Sequence, residues 1–222
     1  PIEKTALAEA EIEYYDIDST SIYVAFKVKN SPNKLLENTS VVIWTTTPWT
    51  IPGNRAIAFG DSIDYCIIKV QESKNNLIKD NQYLVASTFE IIKEIKGEEL
   101  ANTICHHPFS KIGFDYDVPL LKAAFVEDSE GTGFVHIAPC YGEDDYYLAL
   151  DNNIVIKDIV KDDGCYIENT PVFAGIHVFK AHLSVIETLE EQNKLLGSRE
   201  YRHSYPHSWR SKKPIIYRTT PQ

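Results

Sequence analysis

Apolar and polar residues alternate with a period of two along much of the chain, and this alternation constrains the fold more than any other feature. In the clearest case Ile22, Val24, Phe26 and Val28 alternate with Tyr23, Ala25, Lys27 and Lys29. Successive side chains of a strand point to opposite faces of a sheet, so the pattern is typical of a strand with one buried face. Further β-rich runs predict strands near residues 40–46, 55–60, 64–71, 82–86, 119–126, 132–138 and 154–160.

Helical signals are fewer than strand signals. The stretch Ser87-Thr88-Phe89-Glu90 has the spacing of a capping box and predicts a short helix through about Ile95. Two further helices are predicted, one from near Glu143 and one from about Val178 to Leu196, where Gly197 ends it. Many strands, few helices and no β-α-β alternation indicate a mainly β domain (α+β) with a barrel-like core and peripheral helices.

Composition limits the class of protein. A chain of 222 residues is long enough to bury the core of one domain, and it contains no apolar run of the length that a membrane span needs. Its four cysteines, Cys66, Cys105, Cys140 and Cys165, are scattered without a C-x-x-C pair, so we expect reduced thiols in a cytoplasmic protein. The chain has no Met and begins with Pro1, which suggests a fragment.

Charge is distributed unevenly between the body and the end of the chain. The net charge is −10, yet residues 201–222 contain five Lys or Arg and no Asp or Glu, so residues 1–200 carry −15. Affinity for a phosphate backbone comes from Lys and Arg that displace counterions. We therefore expect any nucleic-acid contact to be small, on the scale of a terminal nucleotide, while the acidity of the body also serves solubility.

The first chemically informative segment runs from Trp44 to Arg55 and reads WTTTPWTIPGNR. Thr45, Thr46 and Thr47 end a predicted strand just before Pro48, which disfavours a helix and removes a backbone donor. A threonine hydroxyl both donates and accepts, so three of them can orient a water and a ribose hydroxyl together. Threonine is equally a favoured strand residue, so the triplet alone also fits a purely structural strand end.

The second segment runs from Gly131 to Tyr146 and reads GTGFVHIAPCYGEDDY. His136 lies near the end of a short predicted strand, and Asp144 and Asp145 fall in the first turn of the helix that follows. The helix dipole stabilises acids there and favours their ionised form. By themselves, the acids also fit ordinary helix-start charges, and His136 also fits a structural histidine.

Several other chemistries do not match the residue spacing. The pair Gly131 and Gly133 precedes a strand and lacks the rest of a dinucleotide fingerprint. His136 with Cys140 lacks a second ligand pair for a metal, and the cluster Cys105-His106-His107 is too compact and has no partner. The sequence therefore predicts no metal site and no cofactor.

Three segments together resemble isoleucyl-tRNA synthetases. The Trp44–Arg55 segment resembles their threonine-rich peptide, and the Gly131–Tyr146 segment resembles their second editing motif. The sequence from His203 to Arg210, with that from Tyr217 to Gln222, resembles the return path into the catalytic domain. The related valyl and leucyl enzymes typically read T-T-R-P, whereas here Thr47 stands at the Arg position. One position departs from the family's motif: Cys140 stands where many relatives have Gly.

The resemblance implies both a fold and a division of the chain. The family fold is a closed β-barrel with peripheral helices, of the type found in the editing domains of valyl-, isoleucyl- and leucyl-tRNA synthetases. It implies an editing domain over residues 1–203 and a connector over residues 204–222 that returns toward a catalytic domain. No signature of amino-acid activation is present, so we expect the chain itself not to aminoacylate tRNA.

The resemblance also implies an activity, hydrolysis of valine wrongly attached to isoleucine tRNA, with valyl-adenylate as a second candidate substrate. Asp145 would hold the substrate ammonium. Thr45, Thr46, Thr47 and Asn54 would surround the terminal adenosine, the ester and the water, while Trp49 and His136 would shape the pocket for the side chain. The expected partners are the 3′ end of aminoacylated isoleucine tRNA and the parent catalytic domain, and no membrane. Two alternatives remain, a non-catalytic module that docks the tRNA 3′ end and an unrelated β-barrel hydrolase.

Overall fold

The computed structural model describes residues 5–69, 81–86, 93–129 and 131–219. Its ten strands are β1 Ile12–Asn30, β2 Thr39–Thr45, β3 Ala56–Phe59, β4 Asp64–Lys69, β5 Gln82–Ala86, β6 Lys93–Lys96, β7 Ile104–His106, β8 Asp117–Lys122, β9 Phe134–Ile137 and β10 Leu195–Ser208. Two α-helices, α1 Glu143–Asp151 and α2 Val178–Glu191, accompany them. A 3-10 turn, Pro48–Gly53, follows β2. None of the described helices is long and apolar enough to cross a membrane.

The strand β1 organises the sheet because it is long enough to pair with three partners. Antiparallel β10 runs beside it from Ile12 to Val24, and antiparallel β2 pairs with its second half. At its end β1 pairs with antiparallel β7 through Val28 and Asn30, with an irregularity between these two residues. The strand order is β6-β4-β5-β2-β1-β7-β8-β3-β9, with β10 as a branch on β1.

Burial along β1 follows the predicted alternation except at Ala25, which is buried on the opposite face in a smaller apolar cluster. Ile22, Val24 and Phe26 are fully buried and Val28 nearly so, whereas Lys29 on the other face is exposed. These side chains pack with those of β2, β3 and β9 in the main core. Burial of apolar area at about 25 cal/mol per Å² is the main stabilising contribution from this face.

The predicted closed barrel is wrong, because the described strands form an open path whose end strands, β6 and β9, do not pair with each other. Where β9 approaches β2 and β5, single hydrogen bonds replace a ladder: Ala86 N–H donates to Thr132 O (2.8 Å), and the Thr132 hydroxyl donates to Val42 O (2.6 Å). Gly131 and Gly133 on either side have φ of +75° and +71°. This left-handed backbone interrupts the extended conformation that a ladder requires.

Other local predictions have mixed outcomes. Helix α1 begins at Glu143 as predicted. Helix α2 ends at Glu191 and not at the predicted Leu196, because Asn193 takes the left-handed conformation (φ 57°). The chain then enters β10, so Gly197 lies inside a strand. The predicted helix after Ser87 lies outside the described residues up to residue 92, and residues 93–96 form β6. The predicted strand at 154–160 is absent from this described stretch, where Val155 is 68% exposed.

The end of the chain and the cysteines complete the fold. Strand β10 continues to Ser208, so the predicted start of the connector at Ser204 falls within a strand. All four cysteines are free thiols, three of them buried and Cys165 partly exposed.

Candidate functional site

A cavity of about 450 Å³ opens where the end of β2 meets β9 and the start of α1. It is lined by Trp44, Thr45, Thr46, Thr47, Thr50, Phe125, Glu127, Ser129, Gly131, Phe134, Val135, His136, Ala138, Tyr141 and Asp145. The two segments singled out in the sequence therefore form facing parts of one cavity.

The threonine segment, residues 45–54, turns sharply where β2 ends. Thr47 N–H donates to Thr45 Oγ1 (3.1 Å), and the two hydroxyl oxygens are 3.2 Å apart. Pro48 then opens the 3-10 turn, which suits a residue with fixed φ and no backbone donor. The Thr50 hydroxyl donates back to Thr47 O (2.8 Å). These bonds keep the threonine hydroxyls at the end of the strand instead of on a sheet face.

On the side away from the cavity, which we call the back face, three buried or half-buried side chains bind carbonyls of the threonine segment. The Tyr166 hydroxyl donates to Trp49 O. His107 Nε2 lies 3.0 Å from Ile51 O, and the Tyr116 hydroxyl donates to Asn54 O at 2.9 Å. These three donors come from two parts of the chain that are distant from the segment in sequence, residues 107–116 and Tyr166, so the segment's position depends on the tertiary fold.

On the cavity face, His136 is the hub of a buried hydrogen-bond network. It lies on β9 opposite Ile57 of β3. Its Nε2 is 2.7 Å from Thr50 Oγ1 and its Nδ1 is 3.1 Å from Asn54 Nδ2. Burial lowers the pKa of His136 to about 4, so the imidazole is neutral at physiological pH.

Asp145 supplies a carboxylate to the cavity. It is the third residue of α1, and its Oδ2 accepts the Ala138 N–H at 2.7 Å. Burial raises the pKa of Asp145 to about 6, the Ala138 hydrogen bond lowers it, and the neighbouring Asp144 raises it. The helix start was expected to favour the ionised form, but here desolvation outweighs the favourable contacts. Asp145 is still mostly ionised at pH 7.

The predicted site residues do not all reach the cavity. Thr45, Thr46, Thr47, His136 and Asp145 line it. Trp49 is not among the lining residues; its ring packs edge-on against Tyr141, with centroids 5.1 Å apart. Asn54 is fully buried behind His136, so it contacts the network instead of the cavity.

Several lining residues in the singled-out segments were not assigned a role from the sequence: Trp44, Thr50, Gly131, Phe134, Val135, Ala138 and Tyr141. Trp44 and Thr50 lie within the threonine-rich segment itself, so a signal for them was present. Tyr141 is held rigidly: its hydroxyl donates to Asp158 Oδ1 (3.1 Å) and accepts from Ile159 N–H (3.2 Å). Its ring lies so close to Gly53 that a Cβ there would be 2.7 Å from a ring carbon.

Three further lining residues, Phe125, Glu127 and Ser129, come from the chain before β9. The sequence predicted a strand over residues 119–126, whereas β8 ends at Lys122, and no pattern assigned this stretch to the site. Only the tertiary arrangement brings it to the rim of the cavity.

The fold is similar to that of a crystal structure of GlLeuRS-CP1, with a TM-score of 0.60, covering 81% of this chain and 100% of that chain at 16% identity. At that identity the likeness establishes the fold alone. No protein-family model matches the chain. The chain thus has the fold of that CP1 structure.

Sequence relatives show the family to which the chain is similar. The chain is 50% identical over its whole length to the isoleucine–tRNA ligase of Pelagibacter ubique, 44% to that of Gluconobacter oxydans and 40% to that of Agrobacterium fabrum. It spans 26% of the length of each. The chain is therefore homologous throughout to a segment of isoleucine–tRNA ligases, and the resemblance inferred from its motifs is confirmed.

Proposed function

We propose that this chain is the hydrolytic proofreading domain of an isoleucine–tRNA ligase and cleaves the ester between valine and the 3′ end of isoleucine tRNA. One observation carries the proposal: residues about 100 positions apart, Thr45–Thr47 and Asp145, line the same cavity. We propose valyl-adenylate as a second substrate, the parent catalytic domain as a partner and the cytoplasm as the location, because aminoacyl-tRNA is made and used there.

Asp145 would bind the α-ammonium group that every aminoacyl ester carries. Its Oδ2 is occupied by the Ala138 N–H, which fixes the carboxylate and leaves Oδ1 for the substrate. An incoming ammonium would lower the pKa of Asp145 from about 6 and strengthen its ionised form. A hydrogen bond of this charge-assisted kind contributes about 1.5–3 kcal/mol.

The threonine hydroxyls would orient the attacking water and the ester. An aminoacyl ester is already activated, so positioning and transition-state hydrogen bonds are sufficient for rate enhancement without a covalent intermediate. The hydrogen bonds among Thr45, Thr47 and Thr50 hold these hydroxyls in place before substrate arrives. Such preorganisation avoids reorganisation during the reaction.

A separate editing site is needed because valine is smaller than isoleucine by only one methylene, too small a difference for a binding site to reject it strongly. Burying a methylene contributes about 0.8 kcal/mol, rising to about 1–3 kcal/mol in a fitted pocket, a limit for which the isoleucyl synthetase is itself the usual illustration. A rigid cavity can instead exclude the larger side chain, since overpacking costs about 1–3 kcal/mol or more. The rigidly held ring of Tyr141 and the buried His136 are suitable walls for such exclusion.

The charge distribution supports contact with the tRNA end alone. Of the five basic residues in 201–222, four form ion pairs with the acidic body: Arg202 with Asp16 and Asp18, Arg210 with Glu11, Lys212 with Glu13, and Arg218 with Asp158 and Asp162. These side chains already have anionic partners, so they are poorly placed to neutralise a run of phosphates.

The direct test uses the purified chain with valyl and isoleucyl forms of isoleucine tRNA, and measures loss of each ester against the uncatalysed rate. We expect hydrolysis of the valyl ester and sparing of the isoleucyl ester. Equal rates of hydrolysis of the two esters would contradict exclusion of the isoleucyl side chain by the cavity. Binding of the tRNA 3′ end without cleavage of either ester would identify a docking module instead.

A further inference from the structure

The hydrogen-bond network around His136 determines which imidazole nitrogen carries the proton. A neutral histidine has one N–H and one bare nitrogen, and its tautomer follows from what its partners can donate or accept. The two partners of His136 are Asn54 at Nδ1 and Thr50 at Nε2. Each partner independently indicates whether the nitrogen that it contacts carries the proton.

Asn54 fixes the state of Nδ1. Its Nδ2 lies 3.0 Å from Ala56 O, a backbone carbonyl that can only accept, so the amide nitrogen must face that side. The same nitrogen has a second hydrogen, and His136 Nδ1 is 3.1 Å away. Nδ1 therefore accepts and is bare. The reverse amide orientation would place the Asn54 oxygen against the Ala56 carbonyl oxygen, with no proton between them.

Thr50 fixes the state of Nε2 from the opposite side of the ring. The single hydroxyl proton of Thr50 is used in the 2.8 Å bond to Thr47 O, which again can only accept. Thr50 Oγ1 must then accept from His136 Nε2 at 2.7 Å, so Nε2 carries the proton. Both sides of the network require the same tautomer.

We propose that Asn54 and Thr50 are positioning residues that hold His136 as the neutral Nε2–H tautomer, making it a fixed wall of the cavity and not a general base. The functional consequence rests on the proposed hydrolysis, whereas the tautomer itself does not. Proton uptake at Nδ1 would set an N–H against the Asn54 N–H, and burial of the ring also disfavours the charged form.

The charged and titratable groups around His136 carry both signs. His107 interacts electrostatically with His136 and with Arg55. Asp145 and Glu127 line the same cavity with carboxyl groups, whereas the two ring nitrogens of His136 bond to Asn54 and Thr50. Because both ring nitrogens of His136 are engaged in hydrogen bonds, activation of water would depend on the threonine hydroxyls and the substrate. Thr50 then acts through His136 and Thr47 without touching the reacting atoms.

The tautomer can be measured without any activity. Long-range ¹H–¹⁵N correlation spectra of the ¹⁵N-labelled chain distinguish a protonated from a bare imidazole nitrogen, and the His136 signals are those missing in His136→Gln. We expect a protonated Nε2 and a bare Nδ1, unchanged between pH 8 and pH 5. An Nδ1–H form, or a titration midpoint within that range, would overturn the proposal.

The positioning role is tested with two variants of Thr50. Thr50→Val keeps the shape and removes the hydroxyl, so we expect a mixed tautomer signal and a kcat about tenfold lower with little change in KM. Thr50→Ser restores the hydroxyl and should restore the single-tautomer signal and a kcat within about twofold of the original. Loss of kcat in Thr50→Val with an unchanged His136 signal would overturn the role of Thr50. The expected tautomer in a chain that hydrolyses neither ester would support the tautomer assignment and remove the proposed function.

Discussion

The threonine segment is held by different kinds of contact on its back face and on its cavity face. On the back face, Tyr166, His107 and Tyr116 each donate to one backbone carbonyl, and His107 is fully buried among aromatic rings. On the cavity face, side chains also bind one another, and hydroxyls and a carboxylate border open space.

The contrast is sharpest for the two buried histidines. Burial lowers the pKa of His107 to about 3 and that of His136 to about 4, and both bond through Nε2. His107 is stacked against Phe114, with centroids 5.1 Å apart, and is not among the residues that line the cavity, whereas His136 does line it. A shifted pKa therefore does not by itself mark a functional residue; access to the cavity separates the two.

The largest expected effect is on the back face. His107→Ala removes a buried ring and leaves Ile51 O without its side-chain donor, so we expect the free energy of unfolding to fall by about 3–5 kcal/mol. Urea unfolding measures this loss, with the partly exposed neighbour His106→Ala as the control, for which a change under about 1 kcal/mol is expected. A change in the ratio of valyl to isoleucyl ester hydrolysis by folded His107→Ala would break the distinction between the two faces.

On the cavity face, Asp145→Ala should lower kcat/KM for the valyl ester by about ten- to over a hundredfold, since it removes a charge-assisted bond of about 1.5–3 kcal/mol. Asp144→Ala, its exposed neighbour, is the matched control and should retain most activity. The wild-type rate should also fall as the pH drops through about 6, where Asp145 takes up a proton. Equal cleavage of N-acetyl-valyl and free-amine esters by the wild type would show that Asp145 does not bind the amine.

Asp145 should also lower the free energy of unfolding, because its charge is partly buried at the cavity. Because its pKa is raised from 3.8 to about 6 in the folded chain, ionised Asp145 is destabilising above pH 6, and the effect disappears as the pH falls toward 4. Asp145→Asn should therefore raise the free energy of unfolding at pH 7 by about 1–2 kcal/mol, allowing for partial exposure to solvent. Urea unfolding at pH 7 and pH 4 checks this. An equal gain at both pH values would assign it to packing instead of charge.

The smallest expected effect is the loss of one back-face hydrogen bond. Tyr116→Phe removes the donor to Asn54 O and should lower the free energy of unfolding by about 0.5–1.5 kcal/mol. Arg55 lies over the Tyr116 ring, 4.2 Å from its centroid, and that contact should survive the change. The control is Tyr147→Phe, since Tyr147 is 57% exposed. Ester selectivity should be unchanged, and a shift in it would mean that the back face also shapes the cavity.

Strand alternation and helix starts were predictable because they depend on neighbouring residues. The pattern around Ile22–Val28 places the right side chains in the core, and the acidic turn at Glu143 does begin a helix. Strand β10 was missed because its pairing is decided by β1, whose Ile22 lies opposite Ser198. Gly197 was interpreted as a helix end, yet Asn193 ends α2 four residues earlier in the chain.

The sequence by itself determined which two segments line the cavity, because the threonine triplet and the His136–Asp145 motif are short and local. Only the tertiary structure decided how they are used. It leaves the sheet open at Gly131–Gly133, seats Asn54 behind His136, and brings Tyr141 to the cavity in place of Trp49. It also raises the pKa of Asp145 through burial, opposite to the direction that a helix start alone favours. Desolvation depends on every surrounding residue, so no local pattern could reveal it.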